Sequence, residues 1–193
     1  SCYNQSDLEV IQTLIISLYT GGEVDPLDFG NQTWAPEGRE LLLRLQSLDV
    51  SNLSLTGSIP ESIGSLTNLE ELNIEYNSLS DSSIPESIGN LTSLITLGLS
   101  NNSLTGPIPE SIGKLENLEG LDLHSNNLTG SIPDSIGNLS NLETLYLYSN
   151  NLDGSIPGSI GNLTNLETLY LYSNNLTGPI PESIGELENL EKL

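Results

Sequence analysis

Residues 94–117 read LITLGLSNNSLTGPIPESIGKLEN, and the chain repeats this phrase with a period of 24 residues. A period of about 20 to 50 residues is typical of solenoids, in which each unit buries its apolar face against its neighbours. The copies begin at one shared leucine position: Leu45, Leu69 (one residue longer), Leu94, Leu118, Leu142, Leu166 and, as the start of a seventh, Leu190. We therefore expect a stack of similar coils.

Each part of the phrase predicts a local structure. Leu-x-x-Leu-x-Leu predicts a short strand with inward residues such as Leu121 and Leu123. The glycine of Leu-x-Gly supplies backbone conformations that a β-carbon forbids, and the proline of Ile-Pro ends local pairing. An asparagine after each strand can pair with backbone groups at a corner, and stacked copies would form a ladder. The predicted ladder residues are Asn77, Asn102, Asn126, Asn150 and Asn174.

The phrase resembles the plant-type leucine-rich repeat, with its signature Leu-x-x-Leu-x-Leu-x-x-Asn-x-Leu-x-Gly-x-Ile-Pro-x-x-Ile-Gly. The resemblance covers residues 45–193. It implies an α/β leucine-rich-repeat solenoid: a right-handed superhelix with a concave parallel β-sheet, a second short strand or tight turn near Leu-x-Gly, and 3₁₀ turns on the convex side. It also implies an extracellular recognition module, receptor-like or secreted, that binds a protein, peptide or glycan on its concave face.

Residues 1–44 are predicted to form an N-terminal capping region, and 45–193 to hold six repeats and the start of a seventh, without a C-terminal cap. A capping box from Ser6 to Glu9 predicts the start of a helix, and Gly21-Gly22 predicts its end. The segment resembles the caps of plant-type repeats, where a helix and a tryptophan close the core. Such caps often carry a cysteine pair, whereas Cys2 is the single cysteine and allows no intrachain disulfide.

The composition narrows the function. Four Lys+Arg against 26 Asp+Glu give a formal net charge of −22 and a pI near 4.1. This balance argues against nucleic-acid partners and against attachment to anionic lipid, and it favours a basic partner. No run of 18 apolar residues is present, so we expect no membrane insertion within this sequence.

No catalytic motif is present in the sequence. It lacks Gly-x-x-x-x-Gly-Lys, His-Glu-x-x-His, Gly-x-Ser-x-Gly and Cys-x-x-Cys. We therefore predict a protein that is not an enzyme and that uses no cofactor. Cys2 is interpreted as an incidental thiol or, alternatively, as a residue that pairs with an external partner.

The outward positions of the predicted strands form the candidate binding face. Tyrosines on two adjacent strands, about 4.8 Å apart, would form an aromatic patch beside Glu143 and Glu167. The alternative is that two near-identical copies arose by duplication and the rings merely stack across strands. His124, likewise, is either a polar contact or a solvated side chain. The predicted contacts are Tyr146, Tyr148, Tyr170, Tyr172, His124, Asp122 and Glu75.

A second pattern is a column of carboxylates after Ile-Pro: Glu61, Glu86, Glu110, Asp134 and Glu182. Neighbouring carboxylates at about 5 Å repel by about 0.8 kcal/mol in water, which solvent and counterions can offset. We therefore predict no metal site. The alternative is weak Ca²⁺ binding shared with the adjacent hydroxyls of Ser62, Ser87, Ser111, Ser135 and Ser183.

Sequons for N-glycosylation are dense, which favours a secreted glycoprotein. Part of this density follows from the repeated phrase itself, so we expect only some to be used. The candidates are Asn4, Asn31, Asn52, Asn90, Asn101, Asn127, Asn138, Asn162 and Asn175.

Other functions remain open from the sequence. A solenoid that continues end to end with further repeats could belong to a glycosylated extracellular fibre or matrix protein. Plant-type repeats also occur in inhibitors of cell-wall glycosidases and in ice-binding proteins. A threonine row suited to ice, interrupted by Ser80 and Asp153, is formed by Thr56, Thr105, Thr129 and Thr177.

Overall fold

The computed structural model describes residues 3–18, 25–26, 30–37, 42–80 and 83–193. Cys2 and the helix end predicted at Gly21-Gly22 lie outside these residues. Within them, helix α1 spans Gln5–Leu18. The strands are β1 (Asn31–Glu37), β2 (Leu42–Asp49), β3 (Thr56–Gly57), β4 (Glu71–Asn73), β5 (Ser78–Leu79), β6 (Thr96–Gly98), β7 (Thr105–Gly106), β8 (Gly120–Asp122), β9 (Asn127–Gly130), β10 (Thr144–Tyr146), β11 (Asn151–Leu152) and β12 (Thr168–Tyr170).

The strands assemble into one main sheet and two lateral sheets. The main sheet has the order β1-β2-β4-β6-β8-β10-β12 and is parallel from β2 onward. It aligns equal positions of successive copies, so that Leu121 pairs with Leu97 on one side and Leu145 on the other. The lateral sheets are β3-β5 and β7-β9-β11. Parallel strands, second short strands and an N-terminal helix confirm the predicted solenoid.

Leucine and isoleucine columns, one residue from each coil, form the core. Leu121, Leu123 and Leu128 are fully buried, as are the equivalent residues of the neighbouring coils. Pro133, extended at φ −67° and ψ 144°, starts the 3₁₀ turn that carries Ile136 back into the core. The 3₁₀ turns recur at Glu61–Ser65, Glu86–Asn90, Glu110–Lys114, Asp134–Asn138, Gly158–Asn162 and Glu182–Glu186.

The start of α1 differs from the prediction. The N-cap residue is Asn4, whose Oδ1 accepts hydrogen bonds from Ser6 N at 3.0 Å and Asp7 N at 3.2 Å. An asparagine in this position satisfies the same free amides that a capping serine would satisfy. The predicted capping box at Ser6 is therefore wrong, because the residue two positions earlier already occupies the cap.

A buried carboxylate fastens α1 to the first strand of the repeats. Asp7 is 1% exposed; its Oδ2 accepts a hydrogen bond from Leu45 N at 2.9 Å and lies 3.2 Å from Arg44 Nε. Beside it, β1 pairs antiparallel with β2 and covers that edge of the main sheet. The sequence pattern did not predict β1, because its residues do not alternate in polarity and include Pro36. Trp34 packs against the core from this strand.

On the convex side, the glycine of each Ile-Gly pair packs against a serine of the next coil, and we call these contacts the convex seam. A β-carbon on Gly113 would lie 2.6 Å from the Ser135 β-carbon and closer still to its carbonyl oxygen. Neighbouring backbone, rather than an unusual φ, therefore requires glycine here. The pairs are Gly64 with Ser87, Gly89 with Ser111, Gly113 with Ser135, Gly137 with Ser159, and Gly161 with Ser183.

Candidate functional site

Two columns of side chains cover the concave face of the main sheet. The strand column consists of the last residue of each parallel strand: Asp49, Asn73, Gly98, Asp122, Tyr146 and Tyr170. The turn column lies two residues further along each copy: Ser51, Glu75, Ser100, His124, Tyr148 and Tyr172. All seven predicted contact residues lie in these two columns: six are on three consecutive coils, and Glu75 is two coils before His124.

Five of these side chains form one aromatic cluster: His124, Tyr146, Tyr148, Tyr170 and Tyr172. In the turn column, the His124 ring stacks on Tyr148 with centroids 4.3 Å apart, and Tyr148 stacks on Tyr172 at 4.7 Å. In the strand column, the Tyr146 and Tyr170 rings are 5.4 Å apart. The columns meet edge to face, with Tyr146 and Tyr148 centroids 6.4 Å apart at 73°. Both geometries are favourable aromatic pairings, so the cluster is a continuous surface.

The backbone beneath the cluster is held by the asparagine ladder. Asn150 Nδ2 donates to Leu123 O at 3.0 Å and Leu147 O at 3.1 Å, and its Oδ1 accepts from Leu128 N at 3.0 Å. The amide therefore ties two coils together at the corner that follows Tyr148. Equivalent bonds are made by Asn77, Asn102, Asn126 and Asn174.

A second asparagine ladder lies before the strands, and the sequence reasoning missed it. Each side chain donates from Nδ2 to a carbonyl oxygen of the preceding coil, at 2.8–2.9 Å. The signal was present as asparagine at a period of 24 residues, just before the first leucine of the last four copies. Its members are Asn117, Asn141, Asn165 and Asn189.

His124 is held on three sides rather than free in solvent. Its Nδ1 donates to Asp122 Oδ1, which also accepts from His124 N at 3.1 Å. With the proton on Nδ1, Nε2 accepts from Asn101 Nδ2 at 3.0 Å. Tyr148 covers one ring face. These contacts fix the plane of the first ring in the turn column, which sets the orientation of the tyrosines stacked on it.

A cavity of about 220 Å³ lies beside the aromatic cluster, and we call it the glycine pocket. It forms because Gly98 and Gly120 place no side chains above β6 and β8. Its walls are Leu72, Asn73, Glu75, Thr96, Leu97, Gly98, Gly120, Leu121, Asp122, Thr144 and Tyr146. The sequence reasoning did not find this pocket, because a glycine among varied concave residues carries no pattern of its own.

Glu75 leans over Gly98, so that a β-carbon there would lie 2.8 Å from its Oε1. Burial raises the pKa of Glu75, and the nearby Asp122 carboxylate raises it further. A hydrogen bond with Ser100 and the proximity of His124 act in the opposite direction. Burial also raises the pKa of Tyr148, so its hydroxyl, which is protonated at neutral pH even at the ordinary value of about 10, remains a hydrogen-bond donor there.

Tyr76 is a concave residue that the predictions left out. It occupies the corner position immediately after the turn column, with a left-handed φ of 53°, and is 53% exposed. Asparagine or serine takes this corner in the other coils, as in Asn101 and Ser125. A tyrosine in this conformation is uncommon, and it adds an exposed ring at the edge of the concave face.

The convex carboxylates do not share their surroundings with the serine hydroxyls. Glu61, Glu86, Glu110, Asp134 and Glu182 are exposed. In contrast, the hydroxyl oxygens of Ser62, Ser87, Ser111, Ser135 and Ser159 are buried without a hydrogen-bond partner. Four of the five hydroxyls proposed for the Ca²⁺ alternative are therefore buried, and the fifth, Ser183 Oγ, donates to Gly158 O at 2.7 Å. Among the described residues, no three His, Cys, Asp or Glu side chains are placed to hold a metal ion.

The candidate sequons differ in their surroundings. Asn4 caps α1, and Asn101 Nδ2 donates to Ser100 Oγ and contacts His124. These engaged amides are poor glycan acceptors, so glycosylation remains a prediction for the exposed sequons: Asn31, Asn52, Asn90, Asn127, Asn138, Asn162 and Asn175.

The threonine row on the lateral sheets is staggered. Thr105 pairs with Asn127, and Thr129 pairs with Asn151, so neighbouring threonines do not face each other across the strands. Asp153 places an exposed charge in the same row. This arrangement differs from the flat, regular threonine array that the ice-binding alternative requires.

The fold defines the class of protein as a solenoid of leucine-rich coils with an aromatic concave face. Residues 96–193 match the family described as "Leucine-rich repeat region", and residues 44–66 and 68–91 match "Leucine Rich Repeat". The chain therefore belongs to the leucine-rich repeat family. No curated protein matches it closely enough to count as a relative. Among the described residues, no helix is long and apolar enough to cross a membrane.

Solved plant structures are similar over most of the chain. The Arabidopsis receptor kinase HAESA, in complex with the peptide hormone IDA and the co-receptor SERK1, is 30% identical with a TM-score of 0.82, over 98% of this chain and 33% of that one. The leucine-rich-repeat ectodomain of SOBIR1 from Arabidopsis thaliana is 31% identical with a TM-score of 0.78, over 93% and 98%. A plant ice-binding protein is 30% identical with a TM-score of 0.76, over 95% and 61%. The chain thus spans about a third of the HAESA ectodomain.

Proposed function

We propose that this chain is an extracellular recognition module that binds a protein or peptide partner through the concave face. The observation that carries the proposal is the aromatic cluster: stacked rings on rigid strands, with Tyr172 56% exposed. Tyrosine gives a large contact area at low cost in conformational entropy, and rings fixed before binding lose little freedom on association.

The similar structures support this choice of partner and location. HAESA is described in complex with a peptide hormone and a co-receptor, and PEPR1 with AtPEP1. The ectodomains that match this chain belong to receptor kinases. Recognition by such a surface needs side chains displayed in fixed positions and no proton transfer, so we propose binding rather than catalysis.

The charge around the cluster favours a basic partner. An exposed row of carboxylates runs along the edge of the same sheet: Glu119, Glu143, Glu167 and Glu191. Together with a net charge of −22, this row attracts cations and accelerates their encounter at low salt. Tyrosine faces add cation–π attraction for lysine or arginine.

A selection of displayed random peptides on the whole chain tests the proposal. We expect enriched sequences to be basic and to bind more weakly as salt is raised, because screening reduces the attraction. The double variant Tyr148→Ala with Tyr172→Ala should bind them at least about tenfold more weakly, since buried tyrosine contacts dominate such interfaces.

The matched control is Glu86→Ala, an exposed residue on the convex side. It should leave the affinity of the selected peptides unchanged. Enriched peptides that bind the tyrosine double variant as well as they bind the natural chain would place binding elsewhere. An acidic consensus would contradict the proposed sign of the partner.

Ice adsorption is not part of this proposal, despite the similarity to a plant ice-binding protein. The lateral threonines are staggered and interrupted by a charge. A thermal-hysteresis measurement on the chain should show no depression of the freezing point beyond that of an equal concentration of albumin.

A further inference from the structure

The glycine pocket adjoins the aromatic cluster at Tyr146. Gly98 and Gly120 stand on adjacent strands, flanked by strands that carry Asn73 and Tyr146 in the strand column. A β-carbon at Gly120 would make only ordinary contacts, 3.5 Å to Thr144 Oγ1 and 3.6 Å to a Thr96 methyl. The neighbouring side chains therefore leave room for at least a β-carbon at Gly120.

The size of the pocket limits its occupant. Pockets for whole small molecules measure about 300–1,000 Å³, whereas this one measures about 220 Å³. It is therefore suited to one side chain of a partner that lies on the concave face. A side chain entering here would lie beside Tyr146, at the border of the aromatic cluster.

The charges of the residues that line the pocket favour a cationic occupant. Two of its eleven lining residues, Glu75 and Asp122, carry carboxylates, and none of these lining residues is basic. Glu75 lies directly over Gly98, on the pocket floor. Repulsion from Asp122 contributes to the raised pKa of Glu75, so a cation between the two carboxylates would relieve an existing cost.

We propose that the glycine pocket takes one arginine side chain of the partner, with its guanidinium between Glu75 and Asp122 and against the Tyr146 ring. The inference rests on the proposed function and deepens it by naming a residue of the ligand. Arginine fits better than lysine, because its planar guanidinium donates to two carboxylates at once and stacks on an aromatic face. Thr96 and Thr144 also line the pocket and would flank the aliphatic stem, with the Thr96 methyl group turned toward it.

The probe is N-acetyl-arginine amide, titrated into the whole isotope-labelled chain and followed by amide chemical shifts. We expect saturable shifts at Gly98 and Gly120 with a Kd of about millimolar, as expected for a ligand of this size. N-acetyl-citrulline amide, which has nearly the same shape without the charge, should bind at least about tenfold more weakly.

Two variants test the site itself. Gly120→Val fills the pocket without changing any charge and should abolish the shifts; Gly158→Ala, on the convex side with open space around it, is the matched control and should keep them. Glu75→Gln should weaken binding of the arginine probe by about tenfold, as expected for loss of one charge-assisted contact.

Several outcomes would overturn the inference. Absence of saturable shifts at Gly98 and Gly120, equal binding of the citrulline probe, or unchanged binding by Gly120→Val would each do so. Tighter binding of N-acetyl-lysine amide would replace arginine as the occupant. Any of these results can occur while the proposed function holds. The tyrosine double variant tests the proposed function separately, because its loss of peptide binding does not depend on the glycine pocket.

Discussion

Glycine occurs in two regions of this molecule for opposite reasons. In the convex seam, the space next to Gly113 is filled by the backbone of the next coil at Ser135. In the glycine pocket, the space above Gly120 is empty to 3.5 Å, and the space above Gly98 holds only the end of the flexible Glu75 side chain. The seam glycine recurs in every coil because stacking demands it, whereas the pocket glycines occur in two coils alone and shape a surface.

This difference distinguishes the residues that stacking of the coils requires from the residues that shape the surface of a repeat protein. A residue repeated at one motif position serves the contacts between coils, which are the same throughout the stack. A residue that varies from coil to coil on an exposed face is not required by the contacts between coils. Substitutions in the two regions should therefore differ in size and in what they change.

The largest effect is expected in the convex seam. Gly113→Ala should lower the free energy of unfolding by about 3 kcal/mol, because the new β-carbon forces two coils apart. Urea denaturation followed by circular dichroism measures this. Gly185→Ala, at the same motif position with nothing within 4 Å, is the control and should change stability by less than about 0.5 kcal/mol. Equal effects of the two variants would refute the distinction between filled and open glycines.

A smaller effect of opposite sign is expected at the partner side of the seam. The Ser135 hydroxyl is buried without a hydrogen-bond partner, which costs free energy. Ser135→Ala should therefore stabilise the chain by about 0.5–1 kcal/mol, since a β-carbon is retained and the unpaired oxygen is removed. Destabilisation in the same urea experiment would show that the hydroxyl contributes to the contact.

In the glycine pocket, an added methyl group should cost little. Gly98→Ala displaces the Glu75 carboxylate, but the gain from a stiffer unfolded chain offsets this, so stability should change by less than about 0.5 kcal/mol. Binding of N-acetyl-arginine amide should nevertheless weaken, because Glu75 has moved. A stability loss as large as that of Gly113→Ala would mean that the pocket glycines are required by packing.

The smallest effect is a pH dependence at Glu75. Its pKa is raised in the folded chain, so its contribution to stability is present below the unfolded pKa and is lost as the pH rises through the folded pKa. We expect Glu75→Gln to be more stable than the natural chain at about pH 7, and this advantage to disappear near pH 4. Paired denaturation curves at the two pH values measure it. An advantage that grows toward low pH would contradict the direction of the shift.

The repeated positions could be predicted from the sequence, and the irregular ones could not. A period of 24 residues predicts that Leu121 is buried and that Asn126 lies at a corner. The strand β1 was missed because it lies outside the repeated phrase and its residues do not alternate in polarity. The N-cap was misplaced because Asn4 and Ser6 both suit a cap, and sequence alone does not show which amides each reaches.

The candidate site was predicted in part for the same reason. Alternation along the strand places Tyr146 and Tyr148 on the concave face, but it does not show that His124 stacks on Tyr148. The glycine pocket depends on absent side chains in adjacent strands that are 22 residues apart at Gly98 and Gly120. Their proximity follows from the coil, whereas the open space above Gly120 and the position of Glu75 over Gly98 depend on side-chain conformations that the sequence pattern does not show.

The pairing of β10 with β12, residue for residue, has a consequence for how such a surface changes in evolution. Duplication of one 24-residue unit adds a strand to the face. The contacts between the remaining coils stay as they were, because each coil contacts only its neighbours. The binding surface then lengthens by one strand spacing, about 4.8 Å, while an extended peptide advances about 3.3 Å per residue. Each duplicated coil therefore lengthens the face by the span of about one and a half residues of an extended ligand.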